Sequence, residues 1–296
     1  MARARSNGIE LEYETFGDAS NPAILLVMGL GIQMLGWHEA FCQMLVDRGY
    51  FVIRYDNRDV GLSSKIEGGP EPDLMRLLAG DFSSASYTLD DMADDAAGLL
   101  DELGIGKAHV VGVSMGGMIG QTLAIRHPDR VLSLTSIMST TGDQSVGQPR
   151  QDVLMALVTP APADREDFIE FEANMFQLIG SPDYPTPPDM LRELIGKSYD
   201  RMHYPAGFMR QLTGVMASGD RTATLANVTA PTVVIHGEAD PLIAVSGGEA
   251  TAKAIPGAKL VKVPGMGHDF PPQLWQQFVD EIVANAERAT AGATKA

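Results

Sequence analysis

One cysteine, Cys42, occurs in 296 residues. That excludes an intrachain disulfide and any metal site built on paired thiolates. Cys42 lies in the helical pattern WHEAFCQMLVDRG, where core packing is the expected role. Basic residues are also scarce, 22 Lys and Arg against 38 Asp and Glu, for a formal net charge of −16. A surface of that sign repels phosphate backbones, so nucleic acid is excluded as a partner. No apolar run approaches the ~18–20 residues of a membrane-spanning helix. The N-terminal MARARSNGIELEY has positive residues but no apolar core, so no signal peptide is expected. With the lone cysteine, that points to a cytoplasmic location. There is no internal repeat, no low-complexity segment and no histidine pair at ligand spacing, so neither metal nor cofactor is expected. Nothing in the sequence bears on oligomeric state.

Against these absences, 45% of the chain is hydrophobic and 20% charged, an ordinary globular composition with material for a sizeable core. IELEYETF (9–16) alternates as an antiparallel strand does, while AILLVMG (23–29) is continuously apolar, as a doubly buried parallel strand should be. WHEAFCQMLVDRG predicts a helix ending at Gly49, and YFVIRYD (50–56) a second buried strand. Thr88 reads as the N-cap of a helix over LDDMADDAAGLLDELGI. AHVVGVS (108–114), a helix stopped by Pro128, and RVLSLTSIMS (130–139) follow. The rhythm then breaks over 140–225, with helical patches such as REDFIEFEANMFQLIG and PDMLRELIGKSYDRMHY but no buried strand. The many methionines there suit either an adaptable apolar surface or plain core filling. Alternation returns with PTVVIHGEADP (231–241), KLVKVPG (259–265) and a last helix from PQLWQQF. Strand–helix alternation predicts an α/β fold with a mostly parallel sheet flanked by helices. The expected organisation is a core of 1–138 and 228–290, a helical cap insertion over 139–227, and a flexible tail over 291–296.

Gly-Val-Ser-Met-Gly, residues 112–116, fits G-x-S-x-G. Five letters recur by chance too often to carry an argument alone. Their setting carries it, because a buried strand ends and a helix begins at this point. Ser114 on so tight a turn is held strained and exposed, and side chains on the flanking positions would strike the neighbouring strand and helix. The turn places the hydroxyl above the carboxyl ends of the strands, beside a helix N-terminus, with the Met115 N–H aimed at the same spot.

A serine needs a base. Of six histidines, His109 and His127 read as structural, and His38 and His203 fall in helical stretches. His236 stands at a strand end, where it could shape the site. His268, in the late glycine-rich loop VPGMGHDF, is the expected base. Asp240, in HGEADPLI, is the expected acid, with Asp143 the alternative and Asp269 disfavoured as the base's own neighbour. A second oxyanion donor is expected from VMGLGIQMLGW, at the N–H of Leu30. In YDNRDVGLSS (55–64), Asp56, Arg58 and Asp59 are expected to form an internal hydrogen-bond network bracing the active-site loops.

These motifs together resemble the α/β-hydrolases over roughly 8–138 and 228–288. VMGLG, LGW, RYDNRDVGLS and PGMGH are most similar to the bacterial esterase branch that includes the aclacinomycin methylesterases. The resemblance implies a catalytic triad of Ser114, Asp240 and His268. It also implies an oxyanion hole formed by the N–H groups of Met115 and Leu30, and hydrolysis of a small-molecule carboxylic ester. Two departures alter the pocket wall without removing a backbone donor: Met28-Gly29 stands where His-Gly is common, and Leu30 where the branch often has a small residue. The same triad also serves C–C bond hydrolases, perhydrolases and lactonases. A non-catalytic ligand-binding homologue is the alternative outside enzymes. Dehalogenases and epoxide hydrolases carry aspartate at the elbow, where this chain has serine.

Overall fold

The computed structural model describes residues 1–293. Eight strands form one sheet: β1 (Ala2–Ser6), β2 (Ile9–Phe16), β3 (Ala23–Val27), β4 (Phe51–Tyr55), β5 (Ala108–Val113), β6 (Val131–Ile137), β7 (Thr232–Gly237) and β8 (Lys259–Val263). Their spatial order is β1-β2-β4-β3-β5-β6-β7-β8. The first two pairings are antiparallel and the other five parallel. The helices are α1 (Glu39–Val46), α2 (Leu74–Leu78), α3 (Leu89–Glu102), α4 (Met115–Arg126), α5 (Gln151–Leu157), α6 (Arg165–Ile179), α7 (Pro188–Arg201), α8 (Pro205–Ala217), α9 (Thr222–Leu225), α10 (Val245–Ala254) and α11 (Trp275–Ala293).

Strand β1 falls where no strand was expected. Asn7 and Gly8, with φ of 48° and 80°, form the two-residue turn that pairs Ser6 with Ile9. Asn-Gly is the residue pair that turn favours, because both positions need positive φ. Thr88 caps α3 through a capping box with Asp91. The last helix runs three residues into the expected tail; residues 294–296 of that tail lie outside the described residues. No helix among the described residues is long and apolar enough to cross a membrane.

The sheet is buried on both faces, and the apolar runs show why. Along β3, Ala23, Leu25 and Val27 join one core, while Ile24 and Leu26 point into the other. The first core takes residues of α3 and α4, the second residues of α1 and α11. Cys42 is fully buried in the second, and burial pushes its thiol up to about 12. Between β6 and β7 lie α5 to α9. Helices α6 and α7 there hold a separate small core of Ile169, Ala173, Leu191 and Ile195.

Parallel pairing has one decisive consequence. The carboxyl ends of β3, β5, β7 and β8 lie on the same edge, so the segments carrying Leu30, Ser114, Asp240 and His268 all leave the sheet there.

Candidate active site

Ser114 stands between β5 and α4 with φ 54° and ψ −121°, a conformation an L-residue rarely adopts. Its own N–H donates to Ile137 O at 2.9 Å, and its carbonyl accepts from Gly117 N at 2.9 Å. The flanking glycines are required by contact. A Cβ on Gly112 would lie 2.1 Å from Gly116 O, and one on Gly116 would lie 2.1 Å from Val27 O. Both obstacles are backbone and cannot swing away.

His268 bridges two groups. Its Nε2 lies 3.0 Å from Ser114 Oγ, and its Nδ1 lies 2.7 Å from Asp240 Oδ2. An ionised carboxylate only accepts, so Nδ1 carries the proton and Nε2 is free to accept from the serine. The second oxygen of Asp240 accepts from Leu242 N and Ile243 N, both at 2.9 Å. Burial by itself would push the Asp240 carboxyl upward. Attraction to His268 in its protonated form and the hydrogen bonds from His236 and His268 outweigh it and hold Asp240 below the usual carboxylate range.

His236 sits beneath this pair, fully buried. It bonds Ile243 O through Nε2 at 2.8 Å and lies 3.4 Å from Asp240 Oδ2. Asp143 reaches no histidine; it accepts from Ser145 N at 2.8 Å, closing a local turn. Asp269 turns away from the imidazole beside it and bonds Ser181 and Thr186, between α6 and α7. Ser181 Oγ also accepts from Gly267 N at 2.9 Å, and His268 N donates to Ile179 O at 2.7 Å. The loop carrying His268 is thus gripped from the α6 end.

Gly29 lies beside the serine: a Cβ there would be 3.3 Å from Ser114 Cβ. Gly29 thus packs against the Ser114 side chain, Leu30 follows it in the chain, and Met115 follows Ser114. Among the described residues, neither the Leu30 nor the Met115 N–H donates to a protein acceptor, whereas the Gly31 N–H is taken by Gln211 Oε1 at 2.8 Å.

The expected network among Asp56, Arg58 and Asp59 does not form, and each residue reaches outward instead. Asp56 accepts from Met34 N at 2.8 Å, Leu62 N at 2.9 Å and Arg201 Nη1 at 2.6 Å. Arg58 forks onto Asp95 of α3 at 2.6 and 2.7 Å. Asp59 accepts from Arg210 of α8 and from the Tyr87 hydroxyl. Consecutive side chains on a tight turn diverge, so their charges are matched by other elements. The loop is braced, but by α3, α7 and α8.

The remaining histidines pack or pair. His109 bonds Ser133 Oγ at 2.9 Å, and burial holds it down to about 4. His127 lies 2.7 Å from Asp94. His38 is the N-cap of α1 rather than part of it, and His203 falls between α7 and α8, stacked on Tyr199. Sequence reasoning missed Gln211, Arg201 and Arg210. They lie on helices with no motif; Arg210 and Gln211 were signalled only by polarity on the otherwise apolar turn FMRQLTG, and Arg201, in KSYDRMH, by nothing.

The family model for the alpha/beta hydrolase fold matches residues 22–272. The chain belongs to the α/β-hydrolase family. Among curated α/β-hydrolase relatives, the rhodomycin D methylesterase DnrP of Streptomyces peucetius is 31% identical, covering 95% of this chain and 96% of that protein. The rhodomycin D methylesterase DauP of Streptomyces sp. (strain C5) is 30% identical with the same coverage. Among solved α/β-hydrolases, the enol-lactonase from Burkholderia xenovorans LB400 superposes with a TM-score of 0.75. It is 24% identical over 96% of this chain and 99% of that one, a likeness of fold.

Proposed function

We propose that the protein is a serine hydrolase of carboxylic esters, with Ser114 as nucleophile, His268 as base and Asp240 as the acid that orients it. One observation carries this reading: His268 lies 3.0 Å from Ser114 Oγ and 2.7 Å from Asp240 Oδ2. His268 Nε2 takes the hydroxyl proton as Ser114 Oγ bonds to the ester carbonyl carbon. The carbonyl electrons move onto oxygen, and the N–H groups of Leu30 and Met115 donate to that oxyanion. The first turn of α4 favours the same charge. When the tetrahedral species collapses, the C–O bond to the alcohol breaks and the alcohol leaves with the proton from His268. Water, deprotonated by His268, then releases the acid and restores Ser114.

Residues 139–227 act as a cap over this centre, and 1–138 with 228–290 form the catalytic core. The methylesterase relatives favour a methyl or other small alcohol as the leaving group. The test is hydrolysis of p-nitrophenyl esters from acetate to palmitate and of the matching methyl esters, by wild type and Ser114→Ala. Turnover that vanishes in Ser114→Ala supports the reading. Turnover that survives it, or none with any ester, overturns it in favour of another chemistry on this fold.

A further inference from the structure

Gln211 is fully buried on α8, outside the nucleophile–base–acid constellation. Its side-chain amide spans two loops of the core. Oε1 accepts from Gly31 N at 2.8 Å, and Nε2 donates to Arg58 O at 2.8 Å. The partners fix the orientation of the amide: an N–H needs the oxygen, and a carbonyl needs the NH2. Arg58 is itself locked by its fork onto Asp95, so the anchor behind Gln211 is firm.

The same helix closes on this turn at two other places. Gly31 has φ 70°, and a Cβ on it would lie 2.7 Å from Cδ2 of Phe208, one turn before Gln211. A Cβ on Gly207 would lie 2.1 Å from Asp59 O, so the α8 backbone rests on the loop after β4. Leu30 and Gly31 thus carry successive amides on one turn with different fates. The Gly31 N–H is occupied by Gln211, and the Leu30 N–H is left to the reaction. Without Gln211 the half-buried Gly31 N–H loses its protein acceptor, and a tie between α8 and the turn that carries the Leu30 N–H is gone.

We propose that Gln211 is a positioning residue for the oxyanion loop: by holding the Gly31 N–H, it keeps the Leu30 N–H aimed at the oxyanion and couples the seating of α8 to catalysis. The proposal rests on the reading of Leu30 N–H as an oxyanion donor. Deleting a whole donor costs ~10²–10³-fold in kcat; misaligning one costs less. Gln211→Met should lower kcat roughly ten- to a hundredfold, with KM within about twofold and the p-nitrophenol burst still near one per chain. A trifluoromethyl ketone, which Ser114 converts to a hemiketal oxyanion, should weaken by the same factor as kcat/KM. A purely structural role would lower the burst or the unfolding midpoint and leave the analogue's affinity per active site unchanged, which overturns the proposal. In the wild type, whatever becomes of the variant, forming the hemiketal should shift the amide protons of Leu30 and Met115 downfield in NMR and leave that of Gly31 in place. A Gly31 amide that moves with them overturns the proposal while the oxyanion reading stands. A Leu30 amide that stays put, or a trifluoromethyl ketone no tighter than its methyl ketone parent, removes the oxyanion reading and the proposal with it.

Discussion

Arg210 of α8 and Asp59 of the loop after β4 meet in two hydrogen bonds, 2.9 and 3.1 Å long, with side chains 6% and 0% exposed. The Asp59 carboxylate also accepts from Tyr87 OH at 2.8 Å and Ile66 N at 2.8 Å. A helix from the segment between β6 and β7 is therefore pinned to the loop after β4 by a charge pair with almost no solvent. Removing one member of such a pair strands the other.

Arg210→Met should therefore destabilise the fold by about 3 kcal/mol in urea unfolding. Adding Asp59→Asn should recover part of that loss, because the stranded charge is gone. A double variant as unstable as the sum of the singles would show that the two residues do not depend on each other.

Ser114→Gly should be inactive yet more stable than Ser114→Ala by about 1 kcal/mol, because glycine adopts φ 54°, ψ −121° without strain. Unfolding midpoints of the two inactive variants make the comparison. Equal midpoints would mean the elbow stores no strain at this residue.

Gly116→Ala should cost at least about 2 kcal/mol and most activity, since its Cβ meets the backbone of β3. Gly120→Ala is the internal control. Its Cβ would lie 2.9 Å from Leu134 Cδ1, a side-chain end that can turn aside. It should stay within about 1 kcal/mol of wild type, helped by better helix propensity. Equal losses in both would contradict the close contact between elbow and strand.

Acid should weaken the fold through His109. Burial holds its folded value at about 4 against an ordinary 6.5. Below 6.5 the unfolded imidazole binds a proton that the folded one declines, so stability falls from pH 6.5 toward 4 and then levels. His109→Asn lacks this term. Its stability relative to wild type should improve by up to roughly 3 kcal/mol between pH 7 and 4. A pH-independent difference would mean that His109 takes up its proton equally in both states.

The elbow and the strand–helix alternation were legible because they are local. Glycines at 112 and 116, an apolar run before Ser114 and a helical pattern after it lie within about a dozen residues. β1 was equally local, signalled by Asn7-Gly8, but its short strand ARARS alternates only alanine and serine with arginine, a weak apolar signal. The misread loop was of another kind. Asp56, Arg58 and Asp59 are close in sequence, yet Arg201, Asp95 and Arg210 answer their charges, and no spacing rule joins those positions.

From the sequence alone came the class of fold and the kind of residue at each strand end, because periodicity and turn chemistry act over a few neighbours. Which side chains meet was decided by the sheet order. It brings the ends of β3, β5, β7 and β8 to one edge, puts Asp240 rather than Asp143 against His268, and lets α8 lay Gln211 across two loops. Hydrogen bonds fade within a few tenths of an ångström of their length. Partners so far apart along the chain are therefore chosen by how the elements stack, which no stretch of sequence contains.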